Sequence, residues 1–585
     1  MTQPLIDRES AAPRGVVPVG SESRDRRRAS AFSVTLQRVA VVAIVVILCV
    51  AIFLPLLRLF TTGFAPEGLF SLDAVRDVFG ARWFPDALRN TVIVVGCSSA
   101  AAVVIAALLA WANERTDAAM GWFGQILPLI PLVVPGMVLA TGWVMLGAPR
   151  VGLLQRQVER YPLLDAIIPD LHSTPGLIFV MTLTLVPFPF LILQNALRNV
   201  DPALEEASIV AGAGIRRTVW RISLPAVKHA ILGGALLAVI VGIAEYSVPL
   251  IIGTPARLDI LSVHTVRFVT ASYPAQLGEG SVMGLFMLFV TGSLWLIYFK
   301  VSKGGRFSQI GGKAAKASLM KLGWAKWLVR AVMMCFFLCS AVLPLFALVL
   351  VALQPYWTPD IDAASLGFSN FQQVLQSENL GGAIVNSAIY ATIGATIAVL
   401  VVGLLTTSVS IRRSRFAEVG LGVMKIPAAI SSVVLAIGFV MAFYGAPFHL
   451  GGTMVLLIGA YIINYLPYAS ILAESAVAQV RRELLESSSV AGASEWRTRV
   501  KIVTPLALPG FIAAFALLFA MMAGEATMSR VLAQPGTQVA GFAILQTYEV
   551  GSFSQLAVMG TLIAALILSV VASLLWVSRL LRRRW

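Results

Sequence analysis

EASIVAGAGIRRTVWRISLP, residues 206–225, and ESSSVAGASEWRTRVKIVTP, residues 486–505, are two versions of one segment set 280 positions apart. Glu206 aligns with Glu486, Val210-Ala211-Gly212-Ala213 with Val490-Ala491-Gly492-Ala493, Arg217 with Arg497, Ile222 with Ile502 and Pro225 with Pro505. The register holds upstream, where Pro187 meets Pro467, and downstream, where Glu245 meets Glu525. Earlier in each copy the offset is 296: Asn90-Thr91 aligns with Asn386-Ser387, Pro131 with Pro427, and Val138-Leu139-Ala140 and Gly142 with Val434-Leu435-Ala436 and Gly438. The change of 16 falls in the stretch 148–174, as expected if that stretch is a loop where insertions are tolerated. Apolar composition produces chance matches of Leu and Val, but it does not align Gly, Pro, Glu and Arg at one offset. The chain is an internal duplication.

With 58% hydrophobic and 12% charged residues over 585 positions, the chain lacks the charges that a soluble surface of this size needs. Its apolar residues come in blocks of about 20, the length that crosses a bilayer as a helix. Twelve spans are expected, near 37–60, 91–112, 122–146, 175–195, 229–252, 281–299, 329–353, 386–410, 419–444, 451–474, 507–528 and 556–578. Six spans per copy send both copies into the membrane in the same direction. The predicted fold is therefore an all-α polytopic membrane protein of two tandem six-helix halves in a parallel pseudo-two-fold arrangement. An even count puts both termini on one side, and Arg26-Arg27-Arg28 and Arg582-Arg583-Arg584 mark it as cytoplasmic. About three quarters of the 44 Lys and Arg residues fall on that side. The net charge of +15 thus reflects topology and gives no reason to expect a nucleic-acid partner.

The two quoted segments fall between spans 4 and 5 and between spans 10 and 11. They resemble the cytoplasmic EAA loop of ATP-binding-cassette (ABC) importer permeases, which reads E-A-A, three residues, G, nine residues, I-x-L-P. The first copy matches at Glu206, Ala207, Gly212, Ile222, Leu224 and Pro225, with Ser208 replacing Ala. The second matches at Glu486, Gly492, Ile502 and Pro505 and departs at Ser487, Ser488 and Thr504. The residue types suit a docking element. Small side chains let a short helix approach a partner, Gly212 and Gly492 permit the turn that ends it, and Pro225 and Pro505 suit the first turn of the next helix. Glu206 and Glu486 are placed to cap the short helix or to pair with an Arg on a partner. A loop that merely joins spans is the plainer reading of the same residues.

The resemblance covers nearly the whole chain and implies the type I ABC importer permease fold. It divides the chain into a disordered cytoplasmic tail (1–36), a first permease domain (37–299, loop 199–228), a cytoplasmic linker (300–328), a second permease domain (329–578, loop 479–506) and a basic tail (579–585). It also implies a bacterial inner-membrane location, two cytoplasmic ATPase subunits and an extracytoplasmic substrate-binding protein as partners. The fused form resembles the ferric-iron importers, and the segment EYSVPLIIGTPARLDILSV, residues 245–263, adds to that likeness. Ferric iron is favoured as substrate, with 2-aminoethylphosphonate close behind and thiamine and polyamines in the wider group.

No catalytic constellation, cofactor motif or metal-ligand spacing stands out, and the chain reads as a non-enzyme. Its nearest approach to a phosphate loop, Gly311-Gly312-Lys313-Ala314, lacks the preceding Gly and the Ser/Thr for magnesium, so ATP chemistry falls to another chain. Cys49, Cys97, Cys335 and Cys339 all lie in apolar blocks and read as packing residues. Glu245 and Glu525 fall within expected spans, where a carboxylate costs about 2.5–3.5 kcal/mol on insertion scales and normally faces a cavity or a partner. They are candidates for the pathway or its gate. The plainer alternative pairs them with Arg267 or Arg530 near a helix end. An ion-gradient-driven carrier also has twelve spans in two halves, but the 2–3 loop, ANERTDAAMG, lacks that class's Gly-Asp-Arg motif.

Overall fold

The computed structural model describes residues 20–65, 68–154, 170–304, 319–412 and 414–582. Eight helices are long and apolar enough to cross a membrane: Arg38–Phe64, Trp83–Arg115, Leu277–Val301, Ala325–Leu353, Glu378–Arg412, Met454–Ala478, Glu495–Ala523 and Phe553–Leu581. Four further pairs pass the same test together but are bent. They are Gly121–Val133 with Gly136–Gly147, Thr174–Leu185 with Pro187–Asn199, Ile215–Ala226 with Lys228–Ala244, and Arg415–Ala429 with Ser432–Phe443. Each of the twelve expected spans corresponds to one of these, counting a bent pair as one span. The first helix opens at Gly20, inside the tail expected to be disordered, and residues 1–19 lie outside the described residues. So do 305–318 of the expected linker, which include the Gly311–Ala314 stretch, and 583–585 of the basic tail.

The bends have local causes. The third span turns by 91° where Pro135 forces Val134 out of the helical region, to φ −83 and ψ 121. Its counterpart in the second half turns by 110° at Ile430-Ser431, which has no proline, and Ile430 is extended at φ −107 and ψ 128. The fourth span bends by 44° at Val186-Pro187, where the proline ring removes an amide donor from the helical ladder.

The two halves exchange their first spans. Arg38–Phe64 packs on the third span of the second half, and Ala325–Leu353 packs on the third span of the first. The contacts are reciprocal and very close. A Cβ added at Gly438 would lie 2.9 Å from both Pro55 Cβ and Leu59 Cδ1, and one added at Gly142 would lie 2.7 Å from Pro344 Cβ. Leu59 also packs on Gly284, and Leu348 packs on Gly560. Small residues let helix backbones approach where lipid removes any hydrophobic drive to associate. Trp143 adds a polar contact at the same crossing, donating from Nε1 to the Cys339 carbonyl at 3.0 Å.

The chain returns from its linker along the first half. The Met320 amide donates to the Arg115 carbonyl (2.9 Å), and the Asp117 amide donates to the Met320 carbonyl (3.1 Å). Arg330 then donates to the carbonyls of Asp117 and Ala118, both at 3.2 Å. Replacing Gly142 or Gly438 by Val is expected to cost about 1–3 kcal/mol through overpacking. Thermal unfolding of the purified full chain checks this, and a melting temperature unchanged in both variants would show that the crossing is loose.

Candidate functional site

Each quoted segment folds as a short helix, a turn and a second arm. The first helix, Pro202–Val210, is capped by Asp201, whose side chain accepts from the Ala203 amide at 2.9 Å. The helix ends at Gly212, with φ +84, where the Ala213 amide donates to the Ser208 carbonyl (3.0 Å) and the Gly212 amide to the Ile209 carbonyl (2.9 Å). The second helix, Arg482–Val490, ends the same way at Gly492, with φ +73 and donors from Ala493 to Ser488 and Gly492 to Ser489. A Cβ at either glycine would meet nothing within 4 Å, so backbone conformation alone calls for glycine there.

The departures from the EAA pattern prove informative. Ser208 and Thr218 share a hydroxyl hydrogen bond at 2.9 Å, and Ser488 and Thr498 share its equivalent at 2.8 Å. Each bond ties the short helix to the arm that follows. A serine and a threonine recurring at offset 280 were the available signal, and the sequence reading used neither threonine. Both arms widen to a π-turn just before the motif proline, at Val219–Ser223 and Arg499–Val503, so Ile222 and Ile502 sit in equivalent turns. Pro225 and Pro505 then open the next helical segment in its first turn.

Glu206 and Ala207 are exposed, and Glu486 lies 3.1 Å from Arg482 on the outer surface, with Ser487 also exposed. The neighbouring Glu205 is the buried acid, and the sequence reading missed it. Glu205 lies 3.6 Å from Arg115 and accepts from Ser223 at 2.6 Å. Arg115 also donates to the carbonyls of Leu197 (2.6 Å) and Val200 (2.7 Å), clamping the short helix to the end of the second span. The second half holds its loop with different chemistry. The positions equivalent to Arg115, Glu205 and Ser223 are Ile411, Leu485 and Val503, and the polar contacts move to an ion pair of Arg412 with Glu495 (3.0 Å) and a hydrogen bond from Arg499 to the Ser408 hydroxyl (2.9 Å).

Glu245 and Glu525 come together on a cavity of about 220 Å³ between the halves. Its walls are built from repeat-equivalent pairs such as Pro131 with Pro427, Pro135 with Ser431, and Glu245 with Glu525. Neither glutamate lies within a helix. Spans 5 and 11, expected to run to 252 and 528, stop at Ala244 and Ala523, and each carboxylate caps the helical turn that follows. Glu245 Oε1 accepts from the amides of Ser247 (3.2 Å) and Val248 (3.4 Å), and Glu525 Oε1 accepts from that of Met528 (2.9 Å). The proposed arginine partners are engaged elsewhere, Arg530 with Glu549 at 2.8 Å and Arg267 with Thr254 at 3.3 Å. Tyr465 donates its hydroxyl to Glu525 Oε2. Lys425 and Glu474 pair with each other at 2.9 Å.

The cavity is symmetric in backbone but not in side chains. Thr184, Leu185 and Phe188 on the first half face Asn464, Tyr465 and Tyr468 on the second. Among the described residues no group of three or more His, Cys, Asp and Glu is placed to hold a metal ion.

A family model described as the binding-protein-dependent transport system inner membrane component matches residues 102–301 and 399–585. The ferric transport system permease protein FbpB of Actinobacillus pleuropneumoniae is 22% identical over 546 residues, covering 92% of this chain and 78% of that protein. The putative ferric transport system permease protein FbpB 1 of Haemophilus influenzae is 21% identical over 482 residues, covering 82% and 75%. The putative 2-aminoethylphosphonate transport system permease protein PhnV of Salmonella typhimurium is 24% identical over 152 residues, covering 26% of this chain and 57% of that protein.

The buried clamp carries a prediction. Arg115→Leu leaves Glu205 without its cation and is expected to cost about 3 kcal/mol of stability. Adding Glu205→Leu, which imitates the second half, should recover part of the loss while the Leu197 and Val200 carbonyls remain without their donor. Equal melting temperatures for the single and double variants would show that the ion pair does not hold the loop.

Proposed function

Because the chain belongs to the family of binding-protein-dependent transport system inner membrane components, as the fused two-repeat permease of an ABC importer, we propose that it couples to cytoplasmic ATPase subunits through Pro202–Val210 and Arg482–Val490. One observation carries this reading. Val210 and Val490, repeat-equivalent and next to the two turn glycines, are each 88% exposed. Leu204 and Leu484, also equivalent, are exposed on the same two helices. Matched apolar tips outside the bilayer are what a pair of identical sockets would cover. Two tips call for two ATPase subunits. The residues of the motif, Glu206, Ala207, Ser208, Gly212, Ile222 and Pro225 with Glu486, Ser487, Ser488, Gly492, Ile502 and Pro505, then serve to shape and orient these tips.

The arms supply the mechanical link. In the second half the arm is one helix from Glu495 to Ala523, beginning beside the short helix and ending at the cavity next to Glu525. In the first half the arm bends by 69° at Val227 before reaching Glu245. Closure of the ATPases on ATP would move each short helix, and the Ser–Thr bonds would carry that movement into the arm and so to the cavity wall. The translocation path would run through the cavity, with an extracytoplasmic binding protein delivering the substrate and both termini in the cytoplasm of a bacterial cell. ATP hydrolysis belongs to the partner subunits. Ferric iron is the substrate that best fits relatives aligned over most of the chain, against a phosphonate relative aligned over a quarter of it.

Val210→Glu and Val490→Glu are each expected to weaken ATPase co-purification about tenfold, and together to abolish substrate uptake, as when a buried apolar anchor is lost. Undiminished co-purification and uptake in the double variant would refute the docking role.

A further inference from the structure

We propose that a pocket between the first span and the arm of the second loop binds the headgroup phosphate of an anionic phospholipid. The lipid comes from the leaflet on the side of the two loops. Three spans end at this place: Arg38 opens the first, Arg412 closes the eighth and Glu495 opens the eleventh. Their ends enclose a pocket of about 350 Å³. Its lining sets Arg38, Arg412 and Arg499 against a single acid, Glu495, an excess of two positive charges where helices leave the bilayer. Basic pockets between helix ends attract anionic headgroups, and the guanidinium fork matches the oxygens of a phosphate.

Arg499 points independently to a ligand. It is 7% exposed and donates from Nη2 to the Ser408 hydroxyl at 2.9 Å, but its Nε and Nη1 have no hydrogen-bond partner. Glu495 does not supply one, since it is engaged by Arg412 at 3.0 Å. A buried guanidinium with two unpaired nitrogens is costly, and a phosphate oxygen removes the cost. Folding does not call for these charges. The positions equivalent to Arg412, Glu495 and Arg499 are Thr116, Ile215 and Val219, and the first arm forms the same turns without them. At the matching place in the first half Arg330 gives its donors to the carbonyls of Asp117 and Ala118. A free anion would use the arginines alone. Val42 and Phe416 also line the pocket and are 40% and 62% exposed, so the basic end adjoins bare apolar surface. That pairing fits an amphipathic occupant, with its phosphate at Arg499 and its acyl chains along Val42 and Phe416. Such a lipid braces the arm beside Thr498, whose hydroxyl is bonded to Ser488.

The test uses the purified full-length chain in non-ionic detergent, with phosphatidylglycerol as probe and native mass spectrometry counting the bound lipid. A saturable site is expected, with phosphatidylcholine held about tenfold more weakly. Arg499→Val, which copies the first half, should lower phosphatidylglycerol affinity about tenfold and Arg38→Gln about threefold. Arg38 is exposed, so its variant decides the matter if the buried substitution disturbs folding. Arg216→Gln removes an exposed charge from the first loop and should leave affinity unchanged. Millimolar inorganic phosphate should fail to displace the lipid. Parent-like affinity in both pocket variants, an equal loss in Arg216→Gln, equal binding of phosphatidylcholine, or displacement by inorganic phosphate overturns the assignment.

Discussion

The structure depends on a reciprocal steric contact, in which a glycine in the third span of each half lies against the first-span proline of the other. Gly142 meets Pro344 and Gly438 meets Pro55, with no room for a side chain at either crossing. In lipid, apolar surface alone gives helices no reason to prefer each other over acyl chains, so shape complementarity at such contacts determines which helices pair. Leu59 and Leu348 complete the arrangement by inserting against glycines of their own half's last span, Gly284 and Gly560. Each half is thus closed by the other. The cavity between them is a product of that exchange, because the bent third spans that carry Pro135 and Ser431 are the elements each foreign first span holds in place.

The two repeated loops show how one backbone is maintained by two chemistries. Both turns need glycine at positive φ, both short helices are tied to their arms by a Ser–Thr hydroxyl pair, and both arms widen ahead of a proline. Beneath this common shape, Arg115, Glu205 and Ser223 hold the first loop, whereas the equivalent positions of the second half are Ile411, Leu485 and Val503 and its polar ties run through Arg412 with Glu495 and Arg499 with Ser408. Buried ion pairs and apolar packing are close to interchangeable in net stability when each is complete. What the fold retains is the position of the exposed valine at each tip.

The cavity extends the same principle to its lining. Fusing two copies in one chain frees them to diverge, and here the second half has gathered Asn464, Tyr465, Tyr468 and Ser431 opposite Thr184, Leu185, Phe188 and Pro135. The two carboxylates are alike in one further respect, since each accepts from an amide of the turn that follows it. A symmetric pair of carboxylates thus sits in a wall that is more polar on the side of the second half.

From sequence alone came the twelve apolar segments, the duplication, the paired loops and the pairing of Glu245 with Glu525. These are properties of composition and spacing, which survive in the linear chain because apolar length and a conserved offset need no partner to be read. Tertiary structure alone decided how sharply four spans bend, that first spans are exchanged, that Glu205 and not Glu206 is the buried acid, and that the two glutamates share one cavity at helix ends. A break of two residues hardly changes the hydropathy of a 20-residue window. Pro55 and Pro344 recur at an offset of 289, outside both offsets that reveal the repeat, and nothing local marks which glycine each will meet. Contacts between residues hundreds of positions apart depend on close packing in three dimensions, and that information appears only when the helices are side by side.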